Sequence, residues 1–400
     1  MFVLDLYVFQ ALKVILPVSS RWRMTIVVGY WLIAMLAIVI VAALPYLRFE
    51  SWPKLMRTYV LAIIIGLFLG KLVASIFFIV DDLRRGGVWV FSKLFSNDSI
   101  SVVSTTGVSR SVFLSWLGIS LGAGLFGTLV FGFLNKYRYQ INRLQLAFQN
   151  LPDAFRGLKI VHISDIHSGS FTDKDAVRRG VEKIIQEKPD MILFTGDLVN
   201  DRATEMHEYI EIFGQLKAPL GVYSVLGNHD YGDYVRWENE EAKQSNLRDL
   251  MNVHSSMGWR LLMNEHAVIE KNGDQIALLG IENWGARGNF SRYGKMEKAY
   301  PGTENYPFKI LLSHDPSHWD AQVRTQYKDI DLMLAGHTHG MQFGLELPGV
   351  KWSPVQYMYK QWAGLYESEN QKLYVNRGFG FLGYPGRVGI LPEITVIELA

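Results

Sequence analysis

Three long apolar segments near the start of the chain constrain its fold more than any other feature. They cover residues 24–44, 59–80 and 112–134, and the only charged residue within them is Lys71. Each has about 20 residues, the length that an α-helix needs to cross the hydrocarbon core of a bilayer. Buried core helices are the alternative, but three such runs in one third of the chain favour a membrane region. We therefore expect about three transmembrane helices within residues 1–140.

Two features of this region have more than one interpretation. Residues 2–17 are apolar but carry Asp5 and Lys13, so they form either an interfacial helix or the end of a longer span. Lys71 lies near the middle of its apolar segment. It marks a functional site, or it snorkels to the interface, or it faces a polar residue of a neighbouring helix.

Glycine spacing and charge add weaker information about the membrane region. The pairs Gly66–Gly70 and Gly118–Gly122 have the G-x-x-x-G spacing that lets two helices approach closely. Positive residues are almost equally divided between the two sides of the predicted membrane. With three spans, the small excess on the side of the N-terminus and of the 81–111 loop would place the rest of the chain outside the cytoplasm, by the positive-inside rule. The orientation need not hold if residues 2–17 also cross.

Composition limits the chemistry of the chain. The 40 Lys and Arg residues nearly balance the 38 Asp and Glu residues, so nothing indicates a nucleic-acid partner. The absence of cysteine excludes disulfides, thiolate metal sites and cysteine nucleophiles. Any metal ion would be bound by His, Asp, Glu, Asn or water, which favours Mn, Mg, Fe or Zn.

From about residue 140, short apolar runs alternate with amphipathic stretches and turn signals, which predicts an α/β or α+β layered domain. Five of the predicted strands are each followed by a carboxylate, an amide or an imidazole. Ligands gather at the carboxyl ends of strands in open sheets, so we expect these five groups to converge. The five motifs are Asp165-Ile166-His167, Gly196-Asp197, Gly227-Asn228-His229-Asp230, Ser313-His314-Asp315 and Gly336-His337-Thr338-His339.

The residue types of these motifs suit a pair of metal ions. On an extended backbone, Asp-x-His and His-x-His direct two side chains to the same face. Glycine before Asp197, Asn228 and His337 lets the chain turn tightly. Each motif alone is more often a turn or a helix cap, but five in this order favour a metal site. The remaining histidines are interpreted as structural or surface residues: His162, His207, His254, His266 and His318.

The ordered series of motifs resembles that of the calcineurin-like metallophosphoesterases, from about residue 155 to the end. The runs HISDIHSG, GNHDYG, LLSHDP and AGHTHG are most similar to a bacterial membrane-associated branch. That branch includes phosphodiesterase-like proteins and hydrolases of UDP-diacylglucosamine. The resemblance implies a four-layer αββα sandwich over residues 155–400. It also implies a multi-pass protein of the bacterial inner membrane.

The same resemblance implies roles for individual residues. His229 matches the general acid of the family, and Asp197 and Asn228 are expected to act beside it. Two divalent ions would hold a bridging water, lower its pKa and generate hydroxide for direct in-line attack. The implied ligands of the first ion are Asp165, His167, Asp197 and His339. Those of the second are Asp197, Asn228, His314 and His337, so that Asp197 bridges the two ions.

One position departs from the pattern of the family. Some members carry an aspartate three residues after the bridging carboxylate, directed toward the catalytic histidine. This chain has Asn200 at that position, followed by Asp201. Either the proton transfer is tuned differently, or Asp230 or Asp201 orients His229.

The residues that select the substrate are less clearly marked. Arg287, Arg377 and Arg387 are candidates for binding a second phosphate, with ordinary surface arginine as the alternative. Residues 283–287 are candidates for the mouth of the site. The aromatic-rich stretch 352–366 is either an apolar lip that contacts the bilayer or a lipid chain, or part of the core.

Three functions are consistent with these patterns. The first is a membrane enzyme that cleaves a lipid-linked phosphodiester or pyrophosphate, in contact with membrane lipids. The second is a tethered hydrolase of soluble phosphodiesters. The third is a membrane sensor, channel or transporter whose domain binds without cleaving, and Lys71 is its only support. A lipid-facing groove beside the metal ions would favour the first.

Overall fold

The change in sequence character after the apolar segments coincides with a structural boundary. The computed structural model describes residues 1–16, 21–47, 52–95, 110–288 and 290–400. The chain divides into an N-terminal unit, Met1–Phe131, and a C-terminal unit, Gly132–Ala400. The C-terminal unit therefore begins ahead of residue 155, where the predicted phosphoesterase domain starts.

The described part of the N-terminal unit is helical. Three helical segments are long and apolar enough to cross a membrane: Arg23–Ala43, Lys54–Leu94 and Ser111–Asn135. The second continues well past residue 80, so the first part of the predicted 81–111 loop is helical, and residues 96–109 lie outside the described residues. The four helices are α1 (Phe2–Ile15), α2 (Arg23–Ala43), α3 (Lys54–Phe95) and α4 (Arg110–Gly132), the last ending in the C-terminal unit.

Lys71 of α3 forms an ion pair with Asp5 of α1. Asp5 is fully buried, and the Tyr30 hydroxyl of α2 donates to its main-chain oxygen at 2.7 Å. Of the interpretations of Lys71, this contact supports a polar residue on a neighbouring helix. Helix α1 has 14 residues, which is shorter than the about 20 residues that cross a bilayer.

The two G-x-x-x-G motifs pack against each other. A Cβ atom added at Gly70 of α3 would collide with the main-chain oxygen of Gly122 in α4, and the reverse also holds. A Cβ at Gly118 would lie 2.8 Å from the main-chain oxygen of Ala74. Glycine thus permits the close backbone approach of α3 and α4.

Two mixed six-stranded sheets form the C-terminal unit, together with a separate two-stranded hairpin. The order in the first sheet is β1-β14-β2-β3-β4-β5, and in the second β12-β13-β9-β8-β7-β6. Strands β2, β3 and β4 are mutually parallel, as are β7, β8 and β9. The strands are β1 (Gln140–Leu146), β2 (Lys159–Ile163), β3 (Met191–Phe194), β4 (Val222–Ser224), β5 (Arg260–Leu261), β6 (Glu265–Lys271), β7 (Asp274–Gly280), β8 (Lys309–Leu312), β9 (Leu332–Ala335), β10 (Leu345–Leu347), β11 (Val350–Trp352), β12 (Gly364–Ser368), β13 (Gln371–Val375) and β14 (Glu393–Leu399).

The predicted four-layer αββα arrangement is confirmed. Side chains alternate along each strand, so Ile160 of β2 packs between the two sheets, while Val161 packs under the helices of the outer layer. A third apolar cluster lies on the outer face of the second sheet. The helices of the first outer layer are α5 (Lys174–Gln186), α6 (Ile210–Phe213) and α7 (Glu240–Ser256), and those of the second are α8 (Met296–Ala299) and α9 (Arg324–Gln326).

Candidate metal centre

Five loops that follow strands bring the predicted ligands together at one place between the two sheets. The loops follow β2, β3 and β4 of the first sheet and β8 and β9 of the second. Because the strands within each set are parallel, their carboxyl ends share an edge. All seven predicted ligands meet there: Asp165, His167, Asp197, Asn228, His314, His337 and His339.

The first ligand group consists of Asp165, His167 and His339, whose donor atoms lie within 4.8 Å of one another. The Nε2 atoms of the two histidines are 3.1 Å apart. His339 Nε2 is 3.3 Å from Asp165 Oδ1, and His167 Nε2 is 3.5 Å from Asp197 Oδ2. All four side chains are buried.

The second group consists of Asp197, His314 and His337, again within 4.8 Å of one another. His314 Nε2 lies 3.2 Å from Asp197 Oδ2, the oxygen that also faces His167. Asn228 joins this group, because its Oδ1 is 2.8 Å from His337 Nδ1. The Nδ2 of Asn228 donates to the Tyr234 hydroxyl at 2.8 Å, which turns the amide oxygen toward the other ligands.

The backbone at this place is strained. Five of the seven ligand residues have left-handed backbone conformations, with φ from 48° to 71°. Non-glycine residues adopt this region rarely, at a cost of about 1–3 kcal/mol each, and such residues cluster at functional sites. The expectation that Asp-x-His and His-x-His would lie on extended backbone was wrong. The five residues are Asp165, His167, Asp197, His337 and His339.

Two glycines are required by close approach at the centre. A Cβ atom at Gly227 would collide with the carboxylate of Asp197, and one at Gly336 would collide with the side chains of Ser164 and Asp165. The predicted role of glycine beside the ligands therefore holds at these two positions. The physical reason is lack of space for a side chain.

The electrostatics of the centre favour positive charge. Burial opposes ionisation of Asp197, yet His314 and His229 hold its pKa well below the usual range. Burial likewise lowers the pKa of a histidine, but attraction to Asp197 outweighs it and raises the pKa of His314 to about 10. Burial raises the pKa of Asp165 to about 6. A divalent cation would supply the same positive charge between these carboxylates.

The donor atoms themselves fit metal ions. Burial lowers the pKa of His167 to about 3, so this imidazole stays neutral and keeps a free electron pair. Carboxylate oxygen, imidazole nitrogen and amide oxygen together suit Mn, Mg, Fe or Zn. The donor set therefore passes the chemical test for a site that binds divalent cations.

His229 is held by a main-chain group that the sequence did not indicate. Its Nδ1 is 2.8 Å from the carbonyl oxygen of Asn200, and its main-chain N–H donates to Asp197 Oδ1 at 2.9 Å. The hypothesis that Asp230 or Asp201 orients this imidazole was wrong. Asp230 instead accepts main-chain N–H bonds from the loop of Asp197, at 2.8 to 3.3 Å.

A tyrosine that the sequence had not singled out as a ligand partner supports the second group. The Tyr359 hydroxyl lies 2.8 Å from His337 Nε2 and donates to Asp315 Oδ2 at 3.3 Å. Because the Tyr359 hydroxyl donates its proton to Asp315, it accepts a hydrogen bond from the Nε2–H of His337. The Nδ1 atom of His337 is then unprotonated, and its electron pair faces the ligand group. In the sequence, Asp315 was indicated only by its place beside His314 after a predicted strand. No sequence pattern indicated the hydroxyl of Tyr359.

The three candidate phosphate-binding arginines have different environments. Arg387 is fully buried and donates to main-chain oxygens, including that of His339 at 3.1 Å. Arg377 is buried and pairs with Glu346 and Glu393. Neither guanidinium is available to a substrate, so these two predictions were wrong. Arg287 is exposed. Burial raises the pKa of the Tyr359 hydroxyl, and the positive charge of Arg287 partly opposes this rise.

Two aromatic rings lie beside the ligand groups at the mouth of the site. The ring of Tyr234 is 4.6 Å from that of His229, and the ring of Phe290 is 4.8 Å from that of His337. Residues 283–287 pass close to Asp315, because a Cβ atom at Gly285 would collide with the Asp315 carboxylate. Three of the other histidines are buried and hydrogen-bonded within the core: His162, His254 and His318.

Comparison with known proteins yields two family matches. Residues 1–136 match the profile described as "Probable Calcineurin-like phosphoesterase, transmembrane domain". Residues 158–341 match "Calcineurin-like phosphoesterase". Together the two matches include the helices of the N-terminal unit and all seven ligand residues of the centre.

Similar proteins occur in vertebrates and bacteria. A Danio rerio transmembrane protein with metallophosphoesterase domain is 32% identical over 280 residues, which is 68% of this chain and 60% of that protein. The Bacillus subtilis metallophosphoesterase YkuE is 28% identical over 69% of this chain and 95% of its own length. Escherichia coli phosphodiesterase YaeI is 28% identical over 65% of this chain and 88% of its length.

Proposed function

Because residues 158–341 of this chain belong to the calcineurin-like phosphoesterase family, we propose that the protein is a membrane-anchored hydrolase of phosphodiester or pyrophosphate bonds. The proposed cofactors are two divalent ions from the set Mn, Fe, Zn and Mg. One observation carries the proposal: Asp197 Oδ2 faces both ligand groups, 3.5 Å from His167 Nε2 and 3.2 Å from His314 Nε2. A carboxylate shared in this way is what a metal pair requires.

The proposed reaction divides the work between the ions and the protein. Bound ions would activate water and neutralise phosphoryl oxygens. His229 is the proposed general acid. Its Nδ1–H donates to the carbonyl of Asn200, so Nε2 can hold the proton that the leaving oxygen needs. Asn228 keeps its amide oxygen on the ligand groups, because Tyr234 binds its Nδ2.

The proposed substrate is a lipid-linked phosphoester or pyrophosphate. Two features support a lipid over a soluble substrate. The N-terminal unit has three helices of span length. Exposed apolar side chains also lie near residues of the centre in sequence: Met341 lies two positions after His339, and Met358 precedes Tyr359. Arg287 is the proposed contact for a second phosphate, because it is exposed and its charge reaches Tyr359.

Metal removal tests the reaction class. Full-length protein in detergent is treated with a chelator, and hydrolysis of bis-p-nitrophenyl phosphate is then followed as Mn²⁺, Zn²⁺, Fe²⁺ or Mg²⁺ is added. We expect hydrolysis to disappear with the metal and to return with at least one ion, at about two equivalents per chain. Protein that binds metal but cleaves neither diesters nor pyrophosphates would support a sensor and contradict the proposal.

Paired substrates test the lipid. The same protein in nanodiscs is given UDP-diacylglucosamine and its soluble counterpart UDP-N-acetylglucosamine, which have the same kind of pyrophosphate bond. A clear preference for the lipid, in kcat/KM, is expected. Equal rates on both, with cleavage of the simple diester, would favour the tethered hydrolase of soluble phosphodiesters.

The proposed location is the bacterial inner membrane, with the C-terminal unit outside the cytoplasm. The chain lacks cysteine, so a single cysteine at exposed Val268 reports this side directly. An impermeant maleimide should label Val268→Cys in intact spheroplasts. Labelling only after the membrane is opened would reverse the orientation.

A further inference from the structure

Strands β10 and β11 form a short hairpin with one apolar face. The strands are antiparallel, and Leu345 pairs with Trp352 while Leu347 pairs with Val350. Paired residues and alternate residues point to the same side of a hairpin. These four side chains therefore share one face. Their exposed fractions are 45%, 38%, 56% and 52%, in the order named, with all described residues of the chain in place.

The opposite face of the hairpin is bound to the C-terminal unit. Glu346 pairs with the guanidinium of Arg377. Lys351 donates to the main-chain oxygen of Ala363 and lies over the ring of Trp362, 4.6 Å from its centroid. The contacts on this face fix which side of the hairpin faces outward. The apolar face is thus displayed by the fold, and exposed apolar surface of this kind marks an interaction site.

Two more exposed side chains follow the hairpin in the chain. Tyr357 is 78% exposed and Met358 is 58% exposed. Tyrosine and tryptophan favour the boundary between lipid headgroups and acyl chains, because each ring has an apolar body and a polar edge. Trp352 and Tyr357 therefore give this surface the composition of a membrane interface.

Contacts within the C-terminal unit join this hairpin to the end of the third candidate span. That span ends with residues 132–135. The Arg387 N–H donates to the Gly132 oxygen at 3.0 Å, and the Asn135 side chain donates to the Arg387 oxygen at 3.2 Å. The next residue, Val388, exchanges main-chain bonds with the segment just before β10, at 2.8 and 2.9 Å. A bilayer crossed by this candidate span would therefore lie close to the base of the hairpin.

From this juxtaposition we propose that the apolar face of the β10–β11 hairpin inserts into the interfacial layer of the bilayer that holds the candidate spans. Burial of four apolar side chains in lipid removes surface that water otherwise covers. The docking does not depend on any reaction. A consequence for catalysis does rest on the proposed function. The segment that follows the hairpin continues to Tyr359, which contacts His337. A lipid-linked substrate would therefore reach the centre without leaving the membrane surface.

Single-cysteine spin labels test the docking. Leu347→Cys and Val350→Cys are prepared in the full chain, which has no native cysteine, and reconstituted into phosphatidylglycerol–phosphatidylethanolamine liposomes. Val268→Cys in edge strand β6 is the matched control, since Val268 is also an exposed valine, at 40%. Both hairpin labels should collide more often with oxygen than with a water-soluble nickel complex, and the control label should show the reverse.

Two outcomes would overturn the proposal. Hairpin labels as accessible to the nickel complex as the control label would mean that water covers this face. Labels protected from both oxygen and nickel would mean that protein covers it, as in a second copy of the chain. Neither outcome depends on turnover, so failure of the docking and failure of the proposed function are distinguished.

A kinetic test addresses the consequence for catalysis. The double substitution Leu347→Glu with Val350→Glu places charge on the docking face, and Val268→Glu is the control. Turnover of UDP-diacylglucosamine in liposomes should fall about tenfold, which is about 1.4 kcal/mol, while hydrolysis of bis-p-nitrophenyl phosphate stays at the level of the unmodified chain. Equal lipid turnover by the double variant and the control would contradict this role of the hairpin.

Discussion

The two units of this protein bury charged side chains in different ways. In the N-terminal unit, Asp5 and Lys71 form one ion pair between two helices of regular geometry. In the metal centre, two buried aspartates lie among four histidines, on loops with left-handed backbone. The first arrangement balances its charge with protein groups alone. The second gathers carboxylate oxygens and imidazole nitrogens that face one another, an arrangement that divalent cations would satisfy.

The comparison shows that burial of charge does not by itself mark a functional site. A charged residue in the middle of an apolar segment is a default candidate for function, yet the partner of Lys71 accounts for its position. Strained backbone and convergent donors distinguish the second case. The predictions that follow test this distinction, from the largest expected effect to the smallest.

Asp197→Asn should have the largest effect. The substitution removes the negative charge of the only carboxylate that faces both ligand groups among the described residues. We expect metal content to fall and hydrolysis of bis-p-nitrophenyl phosphate to reach background. The control is the double variant Asp5→Asn with Lys71→Met, which removes the ion pair of the N-terminal unit and should hydrolyse normally. Two bound metals and full turnover in Asp197→Asn would contradict the assignment.

His229→Asn should separate catalysis from metal binding. The imidazole is the proposed proton donor, so its loss should slow the hydrolysis of substrates with poor leaving groups by about 10²–10⁴-fold. Substrates that release p-nitrophenolate need little protonation and should slow much less. Metal content, measured by mass spectrometry, should not change. Asp201→Asn is the control, because the carbonyl of Asn200 orients His229; a matching loss in that variant would restore Asp201 as the orienting group.

Lys71→Met should act on stability alone. It leaves the fully buried Asp5 without its cation, and such a broken pair costs about 3 kcal/mol. The melting temperature in detergent should fall, and adding Asp5→Asn should recover most of the loss. Hydrolysis per folded chain should stay constant throughout. Stability equal to that of the unmodified chain would show that the pair is not structural, and a loss of hydrolysis in the stable double variant would return Lys71 to a functional role.

The sequence predicted those parts of the fold and site that depend on residue type and order. Apolar length indicated the spans, and the five polar motifs after strands indicated a metal site. Their resemblance to a known family implied the αββα sandwich and the seven ligand residues. It could not predict contacts between residues far apart in the chain. The pairing of Asp5 with Lys71 and the burial of Arg377 and Arg387 are contacts of this kind.

Backbone groups were the other gap. Nothing in a side-chain pattern indicates that the carbonyl of Asn200 binds His229, because every residue has a carbonyl. Left-handed backbone at Asp165 and His337 was likewise hidden, since only glycine reliably signals positive φ in a sequence. The identity of the ligand residues was therefore accessible, while the groups that hold and aim them were not.

Tyr359→Phe should have the smallest effect, and it tests whether protein contacts around a ligand matter once the ligand is in place. The hydroxyl joins His337 Nε2 to Asp315 at 2.8 and 3.3 Å. Removal of this hydroxyl leaves the His337 imidazole free to rotate and to change tautomer. Loss of such a contact weakens metal affinity by about 10–100-fold in comparable sites. Only the second ligand group should be affected. Mn²⁺ titration should therefore show one weakened site and one unchanged site.

Excess metal separates this effect from a direct catalytic role. If Tyr359 acts only through His337, saturating Mn²⁺ should restore kcat in Tyr359→Phe to nearly the original value. Tyr357→Phe is the matched control. It also removes a tyrosine hydroxyl, but from an exposed side chain two residues before Tyr359. A kcat that stays low at saturation would place Tyr359 in contact with the substrate, and unchanged affinity at both sites would show that packing alone fixes His337.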